Sequence, residues 1–311
     1  MGVVVVNYRS HALVRANLGG VRWPPGVAVV VVDNASTPAE RAAVAAVCAQ
    51  LGHTLVPMAS NDGFAAGCNA GVQQARRLGC STFLFLNPDA VVTPEVVEAL
   101  RAATLADRGA LVAPVVVDPA GVVTAQGARL SMRDGRIRSR PGAALADAEP
   151  WVTAACLAVH GDLLTDLGGM PEGYFLYWED VELSHRCLRA GGRVVVRPDL
   201  RVVHDQGGTQ GRRRGVAKSA LYYRWNTRNR LVFAARNLPR RQALRWLLAT
   251  PAVSTEILLR GGRRQLLQTP DRAVAALRGS AEGALVVLRA LLRPPGRRRP
   301  QNPTRVVAGT S

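Results

Sequence analysis

Carboxylates, amides and one imidazole stand at the ends of successive apolar runs in this chain. The run Ala28 to Val32 stops at Asp33, followed by Asn34-Ala35-Ser36. Phe83-Leu84-Phe85-Leu86 stops at Asn87-Pro88-Asp89, and Arg201-Val202-Val203 stops at His204. In open α/β sheets, ligands bind in the crevice beyond the carboxyl ends of the strands. A carboxylate there can hold a divalent cation against a phosphate through oxygen ligands. For Asn87-Pro88-Asp89 the alternative is a plain turn, because all three residue types favour turns. Asp33 can accept the imide N–H of a uracil or thymine ring, or cap the helix that starts near Pro38. Tyr8, after the run Val3 to Val6, can stack on such a base or simply pack.

A second pair of acids, Glu179-Asp180, follows the aromatic stretch Tyr174-Phe175-Leu176-Tyr177-Trp178. A partly dry wall raises a carboxylate's pKa and makes it a better general base. The same acids suit the N-terminus of a helix over 179–190, where the dipole favours negative charge. Between the two sets lies Asn61-Asp62-Gly63-Phe64-Ala65-Ala66-Gly67-Cys68-Asn69-Ala70-Gly71. Glycine lets backbone approach a ligand, and a following helix N-terminus attracts phosphate. The segment has neither the Gly-Lys-Ser/Thr ending of a Walker A loop nor GxGxxG spacing.

Taken in order, these segments resemble glycosyltransferase family 2, the inverting enzymes of GT-A fold, and in particular its bacterial rhamnosyltransferase-like branch. The likeness spans roughly residues 1–238. It implies an α/β fold of GT-A type, an open, mostly parallel nucleotide-binding sheet flanked by helices. By the same resemblance Asp33 and Tyr8 hold the base, and Asn61, Gly63, Asn69 and Asn87 line the donor site. Asn87-Pro88-Asp89 corresponds to the family's Asp-x-Asp region with Asn in place of the first acid. That leaves Asp89 as the acid for a divalent metal, Mg²⁺ or Mn²⁺, with His204 as second ligand; imidazole suits Mn²⁺ better. Asp180 is then the base, with Glu179 and Trp178 on the acceptor side. The implied reaction moves a sugar, rhamnose being one candidate, from a dTDP- or UDP-sugar to a hydroxyl of a glycan or lipid-linked acceptor.

Elements able to position these groups alternate along the N-terminal portion. Strands are expected near 2–7, 28–32, 53–57, 82–87, 110–117 and 194–197, and helices near 38–51, 63–78, 94–106, 160–167 and 179–190. Thr93-Pro94-Glu95 has the form of an N-cap, a first-position proline and a first-turn acid. The stretch Asp118 to Glu149 has weak periodicity and suits a hairpin with a loop. Residues 1–210 are expected to form the catalytic domain, 211–295 a basic α-helical extension and 296–311 a disordered tail.

Charge divides the chain at the same place. Residues 1–210 carry 18 Lys/Arg against 19 Asp/Glu, and residues 211–311 carry 22 against 3. Leu244, Leu247 and Leu248 share a helix face beside Arg241 and Arg245, and Val274, Leu277, Leu285, Leu288 and Leu292 continue a helical period. A basic amphipathic segment of this kind points to peripheral contact with anionic membrane. With no secretory signal or run of ~20 apolar residues, the expected place is the cytoplasmic inner face of the plasma membrane. Arg212-Arg213-Arg214 and the arginines from Arg224 to Arg230 are candidates for the donor diphosphate, because guanidinium forks bind phosphate.

Other classes fit less well. The five cysteines are scattered without CxxC spacing, against a disulfide framework or zinc site. Aromatic content of 5% and the absence of a recognisable motif argue against nucleic acid as partner. A glycosidase also uses two carboxylates, but that explains neither Asp33 nor the glycine-rich segment. Nucleotidyl transfer on a related α/β scaffold is the alternative, though it calls for a basic phosphate loop near the N-terminus.

Overall fold

The computed structural model describes residues 1–138, 147–205, 218–260 and 269–293. Runs of valine build its centre. β1 (Gly2–Asn7) and β2 (Ala28–Asp33) are almost wholly buried and pair in parallel. β-Branched side chains fit a strand covered on both faces. Alternation then sends Val3, Val5, Val29 and Val31 to one core and Val4, Val6, Val30 and Val32 to the other.

The main sheet continues through β3 (Thr54–Pro57), β4 (Thr82–Leu86), β5 (Ala90–Val91), β6 (Ala110–Val117) and β7 (Val123–Ala125). A small sheet holds β8 (Ala128–Ser131), β9 (Ile137–Arg138) and β10 (Ala148–Trp151), and β11 (Cys156–His160) and β12 (Arg193–His204) return to the main one. Strand order is β3-β2-β1-β4-β11-β6-β12-β5, with β7 beside β6. Parallel pairing joins β3, β2, β1 and β4, and again β6 and β12. β11 runs antiparallel to both β4 and β6, so β6 and β12 point the same way as β1 to β4 and the sheet is mostly parallel, as expected, with β11 as an antiparallel strand at its centre.

Helices α1 (His11–Leu18), α2 (Pro38–Leu51) and α4 (Pro94–Ala106) contribute to one core. α3 (Phe64–Arg77), α5 (Gly161–Asp166) and α6 (Glu179–Arg189) contribute to the other. Thr37 and Thr93 cap α2 and α4 by accepting the Glu40 and Val96 N–H groups. Thr37 thus takes the capping place considered for Asp33. α3 lies so close to β1 that a Cβ on Gly67 would stand 2.9 Å from Val6 Cγ1, and one on Gly71 would collide with Val4. Two of the three glycines in the Asn61–Gly71 segment therefore serve packing.

α7 (Ala220–Asn237), α8 (Arg240–Leu248), α9 (Thr250–Leu259) and α10 (Pro270–Leu292) form the helical part. Gly279 and Gly283 of α10 let its backbone approach α7, where Thr227 Oγ1 donates to the Ala276 carbonyl at 3.1 Å. Arg230, 1% exposed, donates to the carbonyls of Asp134 and Trp246 and to Thr250 Oγ1. Its desolvation lowers the guanidinium pKa to about 10. Leu130, Tyr174, Trp178, Val181, Leu231, Phe233, Trp246 and Val287 share one apolar cluster, so residues from before and after position 211 pack together. The 296–311 segment and Arg212 to Arg214 lie outside the described residues.

Candidate active site

In-register pairing of β1 with β2 sets Asn7 beside Asp33. Asp33 is fully buried; Asn7 Nδ2 donates to its Oδ1 at 3.4 Å and Arg41 Nε to its Oδ2 at 2.8 Å. Arg41 also donates to the Met58 carbonyl at 2.7 Å. A buried carboxylate needs such partners, and Arg41 is visible only once α2 is folded against β2. Tyr8 is 43% exposed at the same edge, with the Arg9 guanidinium 5.2 Å from its ring centroid. A planar base entering beside Asp33 has an exposed aromatic face available there.

The turn before α3 is organised by amides. Asn34 Nδ2 donates to Asn61 Oδ1 at 3.0 Å and to the Gly63 carbonyl at 3.1 Å, and the Gly63 N–H donates to Asn61 Oδ1 at 3.1 Å. Gly63 has φ +98, and a Cβ on it would stand 2.5 Å from Phe175 Cα. Asn34 has no signal in the sequence beyond its neighbour Asp33. Asn69 is placed elsewhere: its amide donates to the Met170 carbonyl and Glu172 Oε1, and its Oδ1 accepts from Met170 N–H at 2.8 Å. It lines a cavity of ≈ 300 Å³ between α3 and α5, with Gln73, Arg76, Leu164 and Thr165. Asn69 therefore does not join the groups at the strand ends.

The short antiparallel pairing of β5 with β12 places His204 opposite Ala90. His204 Nε2 lies 3.0 Å from Asp89 Oδ1 and 3.4 Å from Asn87 Nδ2. Asp89 is 6% exposed and His204 8%. One carboxylate and one imidazole form an oxygen/nitrogen donor pair that suits Mn²⁺, with phosphate and water completing the shell. Among the described residues no group of three or more His, Cys, Asp or Glu side chains forms a metal cage. A cation held here needs oxygens from its substrate. With β1 between β2 and β4, the ends of those two strands stand about 10 Å apart.

Asp180 approaches from the other side through the segment before β11. The Ala154 N–H donates to Asp180 Oδ2 at 3.2 Å, while the neighbouring Ala155 carbonyl accepts the Asn87 N–H at 2.9 Å. One stretch of backbone thus joins Asp180 to the Asn87–Asp89 turn. Burial raises the Asp180 pKa to about 6 against the lowering effect of backbone N–H donors. Burial first, then the Asp180 charge, raises Glu179 to about 8. Two adjacent carboxyls with displaced pKa values are candidates for acid–base work. Glu179 is 6% exposed, and its Oε2 has no hydrogen-bond partner among the described residues.

The loop carrying this pair into α6 is held in an unusual backbone. Phe175, Tyr177 and Trp178 have φ of 68, 67 and 80, a left-handed region disfavoured by about 1–2 kcal/mol per residue. Trp178 is 3% exposed, its ring centroid 5.7 Å from that of Phe233 and 6.2 Å from that of Trp246. It is a core side chain, not the acceptor-facing wall expected for it. The arginines of α7 are likewise engaged: Arg224 pairs with Glu282 at 2.8 Å, and Arg228 lies 3.9 Å from the same acid.

Residues 3–154 match the sequence profile of Glycosyl transferase family 2. An N-acetylglucosaminyl-diphospho-decaprenol L-rhamnosyltransferase of Mycobacterium tuberculosis is 27% identical over 216 residues, covering 60% of this chain and 69% of that protein. A low-salt glycan biosynthesis hexosyltransferase of Haloferax volcanii is 23% identical over 221 residues, covering 68% and 69%. The fold recurs in the mannosyltransferase PcManGT from Pyrobaculum calidifontis, solved with GDP-Man and Mn²⁺ (TM-score 0.51, 19% identity, 94% of this chain and 86% of that one). S. aureus TarS aligns at TM-score 0.52 and 17% identity over 93% and 82%. GalNAc-T7, solved with UDP, GalNAc and Mn²⁺, aligns at 0.54 and 15% over 86% of this chain and 57% of that one. At these identities the likeness is one of fold, the GT-A fold.

Proposed function

The chain belongs to glycosyltransferase family 2, and from that premise we propose that it transfers a sugar with inversion, using Asp180 as base. The observation that carries this is the Asp180 carboxyl, its pKa raised toward neutrality by burial, which accepts from the Ala154 N–H next to Ala155, whose carbonyl holds the Asn87 N–H of the turn leading to Asp89. Asp33, Asn7 and Arg41 hold the base of a uridine or thymidine diphosphate sugar, with Tyr8 against its ring. An acceptor hydroxyl loses its proton to an Asp180 oxygen as its own oxygen bonds the anomeric carbon. The bond from that carbon to the diphosphate breaks, and nucleoside diphosphate leaves. A divalent cation held by Asp89 and His204 supplies charge stabilisation to the diphosphate when bound. In this reading Glu179, whose pKa burial raises, keeps its proton and acts on the acceptor side or orients Asp180.

The test is nucleoside diphosphate release from a panel of UDP-, dTDP- and GDP-sugars, with Mn²⁺ or EDTA, and with Asp180→Asn as control. The expected result is metal-dependent release from one donor, with the variant reduced by about 10²–10⁴-fold. Failure to bind any nucleotide sugar, or full turnover by Asp180→Asn, overturns the reading.

For the acceptor we propose a glycan on a lipid diphosphate carrier, which the name of the mycobacterial relative suggests. Support comes from the outer face of α10, a helix of 23 residues and thus about 34 Å long. Val274, Leu277, Leu285, Leu288 and Leu292 are exposed along it, Leu292 by 84%. Arg240 at the start of α8 reaches the Arg293 carbonyl at the end of this helix, and Leu244 and Leu248 of α8 are exposed as well. No described helix is long and apolar enough to cross a membrane. Apolar side chains among arginines suit an anionic lipid surface. Sedimentation with phosphatidylglycerol vesicles is expected, with loss in phosphatidylcholine vesicles and in Leu277→Glu/Leu288→Glu. Dimerisation through these leucines without vesicle binding refutes the proposal.

A further inference from the structure

One face of α7 packs against the loop that delivers Glu179 and Asp180. Trp225, Asn229 and Phe233 follow at intervals of four, so they share a helix face. Trp225 stacks on Phe175 with ring centroids 5.0 Å apart, and Phe233 packs against Trp178. Between them Asn229, fully buried, directs Nδ2 at three carbonyls of the loop. The distances are 2.8 Å to Tyr174, 2.9 Å to Leu176 and 3.0 Å to Tyr177. An amide nitrogen has two hydrogens, so one of them is shared. Arg228 Nη1 donates to Asn229 Oδ1 at 2.6 Å, which fixes the direction of the amide.

These carbonyls belong to the segment where Phe175, Tyr177 and Trp178 take positive φ. Non-glycine residues hold that conformation only where their surroundings impose it. The Phe175 carbonyl is turned the other way and accepts the Phe64 N–H at 2.8 Å, beside Gly63. The loop is therefore clamped between the turn before α3 and the buried amide of α7. Its last residue, Trp178, is the N-cap of α6, and the two acids follow directly.

We infer that Asn229 is a positioning residue for the transfer reaction, gathering three loop carbonyls so that Asp180 enters the cleft in its reactive orientation. This rests on the reading of Asp180 as base. It makes the helical part a component of the active site. Asn229 touches no substrate.

The experiment compares full-length Asn229→Ala and Asn229→Ser with Asn226→Ala, whose amide, among the described residues, bonds within α7 at the Tyr222 carbonyl. The readouts are kcat and donor KM for nucleoside diphosphate release, and hydrogen exchange across 175–181. Expected for Asn229→Ala is a kcat loss of about 10- to 100-fold with donor KM held within about twofold. Its exchange rises in 175–181 while the β1, β2 and β4 amides stay protected. Asn229→Ser, keeping one donor, is expected to fall between, and it carries the same test if the alanine variant does not fold. Wild-type kcat and unchanged loop exchange in either variant overturn the inference. So does a kcat loss matched by donor KM with exchange raised throughout the sheet. An active Asp180→Asn instead defeats the base assignment, so the two failures are told apart.

Discussion

Replacing Glu179 by Gln is expected to make the protein more stable at alkaline pH while leaving it nearly unchanged in acid. Glu179 is 6% exposed, and burial with the neighbouring Asp180 charge raises its pKa from 4.5 to about 8. An unfolded glutamate releases its proton near 4.5, whereas the folded chain keeps it until about 8. Between those values the folded state binds more protons, so stability falls as pH rises and levels off above the window. The displacement corresponds to at most about 5 kcal/mol. The two carboxyls titrate together, and local relaxation shares the cost, leaving about 1–3 kcal/mol as the expected effect. Glutamine has the same shape and never ionises. Thermal melts of both proteins from pH 5 to 8.5 are the assay, and the variant's midpoint is expected to rise by roughly 3–10 °C at the alkaline end. An equal difference at every pH, or a variant less stable at pH 8.5, refutes the account of Glu179 as a buried carboxyl held neutral.

The rate of nucleoside diphosphate release is expected to rise with pH through about 6 as Asp180 loses its proton, and Glu179→Gln leaves that limb in place because Glu179 is neutral there. A flat profile from pH 5 to 7.5 contradicts this. Gly63→Ala sets a Cβ 2.5 Å from Phe175 Cα at φ +98, and urea titration is expected to show a loss of about 3 kcal/mol. A loss below about 0.5 kcal/mol means the loop can retreat. Arg41→Met removes the cation 2.8 Å from buried Asp33, and nucleotide affinity measured by calorimetry is expected to fall at least about tenfold. Unchanged affinity removes Asp33 from the base site.

Long, uniform segments were legible in the sequence because one signal decides them. The valine runs predict β1 and β2 within a residue, and the capped pattern at Pro94 predicts the bounds of α4; α2 spans the expected residues, although its cap is Thr37 and not Asp33. β11 was missed. Cys156-Leu157-Ala158-Val159-His160 is buried throughout and apolar up to His160, so it lacks alternation, and five residues give periodicity too little length. α1 was missed as well, since eight residues are too few for helical periodicity to decide. At the site, the strand-end rule led to Asp33, Asp89 and His204, because strand ends converge in any such sheet. Arg41, Asn34 and Asn229 act across 8, 29 and 55 residues of chain, and no local pattern encodes those contacts. Trp178 and Asn69 show the converse: proximity in sequence to reactive groups does not fix which way a side chain faces.

The position of β11 has a consequence for how the molecule is assembled during synthesis. It is the strand shared by β4 and β6, and it pairs with β4 through Cys156 to His160 and with β6 through Ala158 and Val159. Until Val159 has left the ribosome, β1 to β4 and the later β6 are two sheet pieces with no strand in common. Contacts between distant parts of a chain form slowly and expose unpaired edges meanwhile. The nascent N-terminal half therefore presents a bare β4 edge to the cell, and a truncation ending before Cys156 makes that edge permanent.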